Sequence, residues 1–227
     1  MHIELLVEDS SGKTTLDTLL PKLVGPHDTF RVHPYKGIGR IPRSMKDADD
    51  PSKRILLTNL PRLLRGYGRT FQGYTKTYKA AVVLVCDLDD KDPDHFLGEL
   101  KAVLNACSPR PETRFCIAIE EGEAWFLGDV PAVLKAYPHA DSAVIGSYEN
   151  DSICGTWEKL ADAIYPGGAK ALVKRGWQSI GAEKQRWAEN ITPNMKIDSN
   201  ASRSFCFFRD QVRDLVSGKT QLPKAKA

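Results

Sequence analysis

Residues 80–86 read AAVVLVC and stop at Asp87. A short unbroken apolar run, rich in β-branched residues and closed by an acid, has the signature of a strand buried on both faces. It is the longest apolar run in the chain and is far too short to span a bilayer. Around it, strand-like and helix-like stretches alternate. Residues 3–7 are β-prone, and Leu16, Leu19, Leu20, Leu23 and Val24 follow at helical spacing. Residues 29–32 suit a second strand, and 55–64 carry helical apolar spacing despite Pro61. Phe96, Leu97, Leu100, Val103 and Leu104 mark another helix, and 115–119 another strand. This alternation predicts an α/β fold: a mostly parallel sheet with helices on both faces.

Past Tyr148 the strand signals stop. Trp157, Leu160, Ala161 and Ile164 share a helical face, and 169–191 and 205–216 also read as helices. Three parts are therefore expected. Residues 1–148 form an α/β core with a basic, loop-rich insert at about 34–79. Residues 149–216 form a helical extension packed on the core, and 217–227 a flexible tail. Trp125, Trp157, Trp177 and Trp187 sit in helical contexts and are expected in the core. The five cysteines are odd in number and lack a CxxC pair, which argues for reduced thiols rather than a disulfide framework or structural zinc. No basic flank leads into an apolar segment at the amino terminus, so a cytoplasmic protein is expected.

Three strand-like runs end in acid. LLVE ends at Glu8, VLVCDLD at Asp87 and Asp89, and CIAIEEGE at Glu120, Glu121 and Glu123. In a parallel sheet all carboxyl ends face one way, and ligands bind along that edge. Asp87 and Asp89 are two apart and would point the same way in extended backbone. Gathered carboxylates repel one another unless a cation sits among them, and Mg²⁺ takes oxygen ligands of this kind. Any one of these acids could equally be a turn residue or a helix cap. His2, His27, His33, His95 and His139 show no metal-ligand spacing.

VEDSSGKTT, residues 7–15, also contains the GKT of a phosphate-binding loop. Such a loop needs glycine where Val7 stands, and Glu8 and Asp9 would set carboxylates against a polyphosphate. SGKT recurs at 217–220 with no strand before it, so the tetrapeptide is weak evidence. The DLD of residues 87–89 resembles the start of a haloacid-dehalogenase phosphatase, but Lys91 replaces the Thr or Val that family requires.

The formal net charge of +3 says less than its distribution. Cations dominate residues 31–79, including Arg40, Arg43, Arg65, Arg69 and Lys76, whereas residues 86–129 hold eleven Asp and Glu. That division suits a polyanion held beside metal-binding carboxylates, or the solvated faces of ordinary helices and loops. Tyr67, Phe71, Tyr74 and Tyr78 interleave with the basic residues, a pattern compatible with base stacking or with packing.

A strand-end Glu followed by a later strand ending in DxD resembles the Toprim domain of topoisomerases, primases and overcoming-lysogenization-defect nucleases. VED…LDTLLPKL, VLVCDLDDKD and IAIEEGEAWFLGD, with TWEKL, KQRW and SNASRSFCFF further on, resemble a family of stand-alone Toprim-like bacterial proteins of unknown function. The resemblance covers nearly the whole chain. It implies a Mg²⁺- or Mn²⁺-dependent nuclease acting on DNA, RNA or tRNA, with Glu8 as metal ligand or general base and Asp87 and Asp89 as metal ligands. It places Glu120 or Glu123 at a second metal and Lys184 where transition-state charge is neutralised. Related nucleases often carry glycine after the first Glu and an acid four residues beyond it. Asp9 and Gly12 stand there instead, so Asp9 or Asp17 would substitute. The resemblance further implies a phage-defence or toxin-like effector regulated by a partner ATPase, and allows a homo-oligomer. The alternatives are a non-catalytic module that binds nucleic acid or a partner through a degenerate acidic site, and a P-loop nucleotide-binding protein.

Overall fold

The computed structural model describes residues 1–42, 51–75, 77–152 and 154–218. Four strands form one parallel sheet: β1 (His2–Val7), β2 (Thr29–Pro34), β3 (Ala80–Asp87) and β4 (Thr113–Ala118), in the order β2-β1-β3-β4. The central strands are apolar on both sides. Ile3, Leu5, Val7, Ala81 and Val83 enter one core, and Leu6, Val82, Leu84 and Cys86 enter the other. This double burial is why 80–86 carries no polar alternation.

The chain steps from β1 outward to β2, then back across to β3 and on to β4. Parallel crossovers are right-handed, so the reversal places the connecting helices on opposite faces. Helix α1 (Ser10–Leu19) covers one face; α2 (Leu56–Gln72) and α3 (Pro93–Asn105) cover the other. The reversal lies between β1 and β3, whose register pairs Val7 with Val85. Glu8 and Asp87 therefore end neighbouring strands at the topological switch point, where α/β sheets open a crevice.

Helix α2 runs about two turns beyond the expected 55–64. Its later glycines do not break it, and Gly68 permits a close approach: a Cβ there would lie 2.0 Å from the Pro109 carbonyl oxygen. On the α1 face, α4 (Glu123–Leu127), α5 (Val130–Ala136), α6 (Ser142–Gly146), α7 (Thr156–Ile164), α8 (Gly168–Lys174), α9 (Trp177–Ile191) and α10 (Arg203–Ser217) build the second layer. They share one buried cluster with the sheet and α1, centred on Trp125, Trp187, Phe205 and Phe208. The single helix expected over 169–191 is two helices, because Gly176 adopts φ +85° between α8 and α9. Trp125, Trp157 and Trp187 are buried as expected, but Trp177 is 82% exposed.

Helix α9 lies beside α1 and runs in the same direction. Gln185 Nε2 donates to Thr14 Oγ1 at 2.8 Å near the start of α1. At the far end, Lys22 Nζ donates to the carbonyls of Pro193 and Met195 at 3.3 and 3.2 Å. Cys86, Cys107 and Cys116 are buried free thiols. Among the described residues, no helix is long and apolar enough to cross a membrane.

Candidate functional site

The carboxyl edge of the sheet carries the acids, and their surroundings differ sharply. Glu8 follows β1 directly and Asp87 is the last residue of β3. With Asp9, Glu123 and Lys184 they line a narrow cleft of about 50 Å³, room for a few water-sized occupants. Glu8 Oε2 is buried and meets no hydrogen-bond donor. Burial pushes the Glu8 carboxyl up to about 7; the Asp89 and Asp9 carboxylates add to this, and Lys184 and the Asp87 main-chain N–H only partly oppose it. Burial also lifts Asp87 well above the usual carboxylate range, with Glu8 the next cause. Each of the two thus makes the other harder to ionise.

Lys184 brings positive charge from α9 into the same cleft. Its Nζ lies 3.1 Å from Glu121 Oε1 and 3.2 Å from Glu123 Oε2. Burial pulls its pKa down, but Glu123, Glu121 and Asp87 together outweigh that and keep the ammonium charged. Glu121 and Glu123 are themselves lifted by burial, which the lysine only partly offsets. One ammonium thus faces four inward carboxyl groups, Glu8, Asp87, Glu121 and Glu123. Sequence reasoning proposed Lys184 but missed Glu121 as its partner. The signal was present in the EEGE run, whose middle acid lies opposite α9 only once the extension folds back.

Glu120 is placed differently. It adopts φ +58° and turns toward the start of α7. Its carboxylate accepts from the main-chain N–H of Cys154, Gly155 and Thr156 at 3.0, 2.8 and 2.9 Å, and from the Thr156 hydroxyl. Burial raises its pKa, but the Thr156 hydroxyl and these amides together hold it below the ordinary value. Glu120 is thus spent on fastening the helical extension to β4, while Glu121 Oε2 accepts from Trp157 N–H at 3.0 Å beside it.

Asp89 does not continue the strand. At φ +53° it leaves the alternation that would have aligned it with Asp87. It pairs with Lys91 Nζ at 2.5 Å and lines a neighbouring depression with Asp90, Glu120 and Glu121. Asp9 caps α1, accepting from Gly12 N–H at 2.7 Å and from the Ser11 hydroxyl. The amide that a phosphate-binding loop would offer is therefore occupied by the chain's own carboxylate. Lys13 pairs with Asp17 one turn along the helix, turned away from the cleft lining. Lys219 and Thr220 of the second SGKT lie outside the described residues.

A divalent cation needs ligands without prior partners. Among the described residues, no group of three or more His, Cys, Asp or Glu side chains stands close enough to hold a metal ion. What the cleft offers is a pair: Glu8 with its orphaned oxygen, and Asp87, whose carboxyl burial and the neighbouring Glu8 make hard to ionise. Mg²⁺ is commonly held by one or two carboxylates, with water and substrate phosphate completing its shell. The pair fits that open arrangement and does not fit a closed protein cage.

The basic residues are scattered. Arg40 is exposed in the loop after β2, on the same edge as Glu8, whose carbonyl accepts from Gly37 N–H at 3.0 Å. Arg65 and Arg69 lie in the second half of α2, which descends toward the amino edge of the sheet. There Arg65 faces Cys107, and Tyr67, Phe71, Tyr74 and Tyr78 pack against one another in tilted and edge-on pairs, with Tyr78 stacked on His2. The structure therefore does not bring Arg65, Arg69 or this aromatic ladder to the acids. Arg43 and Lys76 lie outside the described residues. Comparison with family models, curated proteins and solved structures returns no match for this chain.

Proposed function

We propose that the chain is a Mg²⁺- or Mn²⁺-dependent phosphodiester hydrolase acting on nucleic acid. The observation that carries this reading is the pair at the switch point. Glu8 and Asp87 end neighbouring strands half-buried, both lifted in pKa, with one buried Glu8 oxygen lacking any donor. A pair in that state gains from a cation, and its place is where ligands enter an α/β sheet. Glu8 and Asp87 would hold the ion, which when bound supplies Lewis-acid polarisation of a phosphoryl oxygen. Glu8, whose ionised form the bound cation would favour, would accept a proton from the attacking water. Lys184, fixed by Glu121 and Glu123, places positive charge where negative charge grows on the phosphate. Glu123 takes part by holding the lysine, and Glu120 by holding the fold. The Toprim resemblance is in keeping with this, and it adds regulation by a partner ATPase.

A second reading, a non-catalytic module binding nucleic acid or a partner, draws on a specific observation: Lys184 already supplies a cation within the cleft. Incubating the purified chain with single- and double-stranded DNA, RNA and tRNA, with and without Mg²⁺ or Mn²⁺, separates the two. The hydrolase reading predicts cleavage that chelator abolishes and that Asp87→Asn reduces about a thousandfold, the several kcal/mol expected of a catalytic metal. Absence of cleavage, with binding indifferent to metal and to Asp87→Asn, would establish the binding module instead.

A further inference from the structure

Residues 163–182 hold Lys170, Lys174 and Arg175 and not one acid. At the junction of α8 and α9 within this stretch stands Trp177, the most exposed of the large apolar residues described, at 82%. Val173, four residues before it, is 54% exposed. Arg175 donates to the hydroxyl of Tyr165 at 2.7 Å, a partner that is not a carboxylate. A bare indole among cations that form no ion pair among the described residues is an unusual surface, since most of the exposed ring is apolar.

Its position relative to the acid cleft follows from the helix geometry. Lys184 reaches the carboxyl edge, and α9 runs beside α1 toward the amino edge, so its first turns rise beyond the carboxyl edge into solvent. Trp177 and Lys184 are seven residues apart, just under two turns, and share one face of α9 about 10 Å apart along its axis. Gly181 lies between them on that face, exposed, and a Cβ built there would meet nothing within 4 Å. An open track thus leads from the indole to the lysine of the cleft. The aromatics that the sequence offered for stacking, from Tyr67 to Tyr78, lie at the opposite edge and pack against one another.

We infer that Trp177 is a stacking post for a base of single-stranded nucleic acid, with Lys174 and Arg175 holding the flanking phosphates and the strand running over Gly181 to the cleft. The inference rests on the hydrolase reading for the strand's destination, and the charge of the stretch selects a polyanion over an apolar peptide. Stacking on an aromatic side chain tolerates any base and is joined by salt-sensitive phosphate contacts.

The test is binding, not cleavage, so that it stands apart from the catalytic reading. The full-length chain is titrated in EDTA against a fluorescein-labelled oligo-dT, an oligo-rU and a matched duplex, and anisotropy is followed. Trp177→Ala is expected to weaken single-strand binding by about 10-fold or more, the loss typical of one stacked base. Trp177→Phe is expected to retain most of the affinity. Gly181→Leu, which improves helix propensity and whose Cβ meets nothing within 4 Å, is expected to weaken it by obstructing the track. Single-strand binding unchanged in both Trp177→Ala and Gly181→Leu would overturn the proposal and leave the hydrolase reading standing. So would tighter binding of duplex than of single strand, no binding of either oligonucleotide, or a Trp177→Ala change confined to oligomeric state, which would mark a protein interface. Loss of cleavage in Asp87→Asn with these binding results intact bears on the cleft alone.

Discussion

Glu8 and Glu120 follow two strands of the same parallel sheet and meet opposite surroundings. Glu120 receives three main-chain amides and a hydroxyl from the start of α7, and its carboxylate is held ionised. Glu8 receives no donor on its buried oxygen and is pushed toward its neutral form. The acid that ends a strand is thus not a functional signal in itself. Where the chain returns with a helix start, the acid becomes a fastener; where nothing returns, its unmet demand for positive charge remains. Lys184 stands between the two cases, tied to Glu121 and Glu123 yet facing Asp87 and Glu8 across the cleft.

Removing that lysine should give the largest change. Lys184→Met leaves Glu121 and Glu123 buried without their counter-charge, and breaking such a pair costs about 3–5 kcal/mol. The loss, read by urea unfolding at pH 8, should shrink toward pH 5. Both glutamates have raised pKa values and take up protons there, so the ammonium is no longer needed. A neutral result at pH 8 would show that the cleft does not depend on α9.

Glu120→Ala should come next, at about 3 kcal/mol, since it strips several charge-assisted hydrogen bonds from the 154–156 segment. A carboxyl with a folded pKa below its unfolded one stabilises the fold above the unfolded value, near 4.5, and loses that contribution as pH falls through the folded value. The wild-type advantage over Glu120→Ala should therefore persist at neutral pH and fade in acid. If the advantage instead grew in acid, Glu120 would not be the fastener.

Glu8→Gln should have the smallest effect and the opposite sign. A carboxyl whose folded pKa is raised, here from 4.5 to about 7, favours folding below the unfolded value and loses that contribution as pH rises through the folded one. Relieving it in chelator at pH 8 should stabilise the chain by about 2 kcal/mol, less than the full worth of a shift of two to three pKa units because the glutamine amide still meets the burial cost of a polar group. The gain should vanish near pH 4.5. Destabilisation at pH 8 would mean that Glu8 has a partner in solution, and the contrast with Glu120 would fail.

The α/β class, the parallel order of strand ends and the strands themselves were legible because burial on both faces leaves an unbroken apolar run, as at 80–86. The meeting of Glu8 with Asp87 was legible for the same reason, since parallel strands end together. Where a side chain turns after a strand was not. Asp89 and Glu120 adopt left-handed backbone that no periodicity announces, and each then finds a local partner. The extent of α2 was hidden by Gly66 and Gly68, of which only Gly68 serves close packing, and the break at 176 by a glycine with no turn signal beyond itself. Trp177 was misplaced because exposure depends on where α8 hands over to α9, a tertiary fact. The aromatic ladder of 67–78 was visible as a pattern, but its edge of the sheet was set by the direction of α2.

The account stands on one property of the cleft, that Glu8 and Asp87 together take a divalent cation. Calorimetric titration of Mn²⁺ into the purified chain at pH 8, repeated with Glu8→Gln and Asp87→Asn, measures it directly. Saturable binding in the wild type that weakens about 10- to 100-fold or disappears in both variants is the predicted result. Binding of equal strength in all three, or no binding to the wild type, would contradict it.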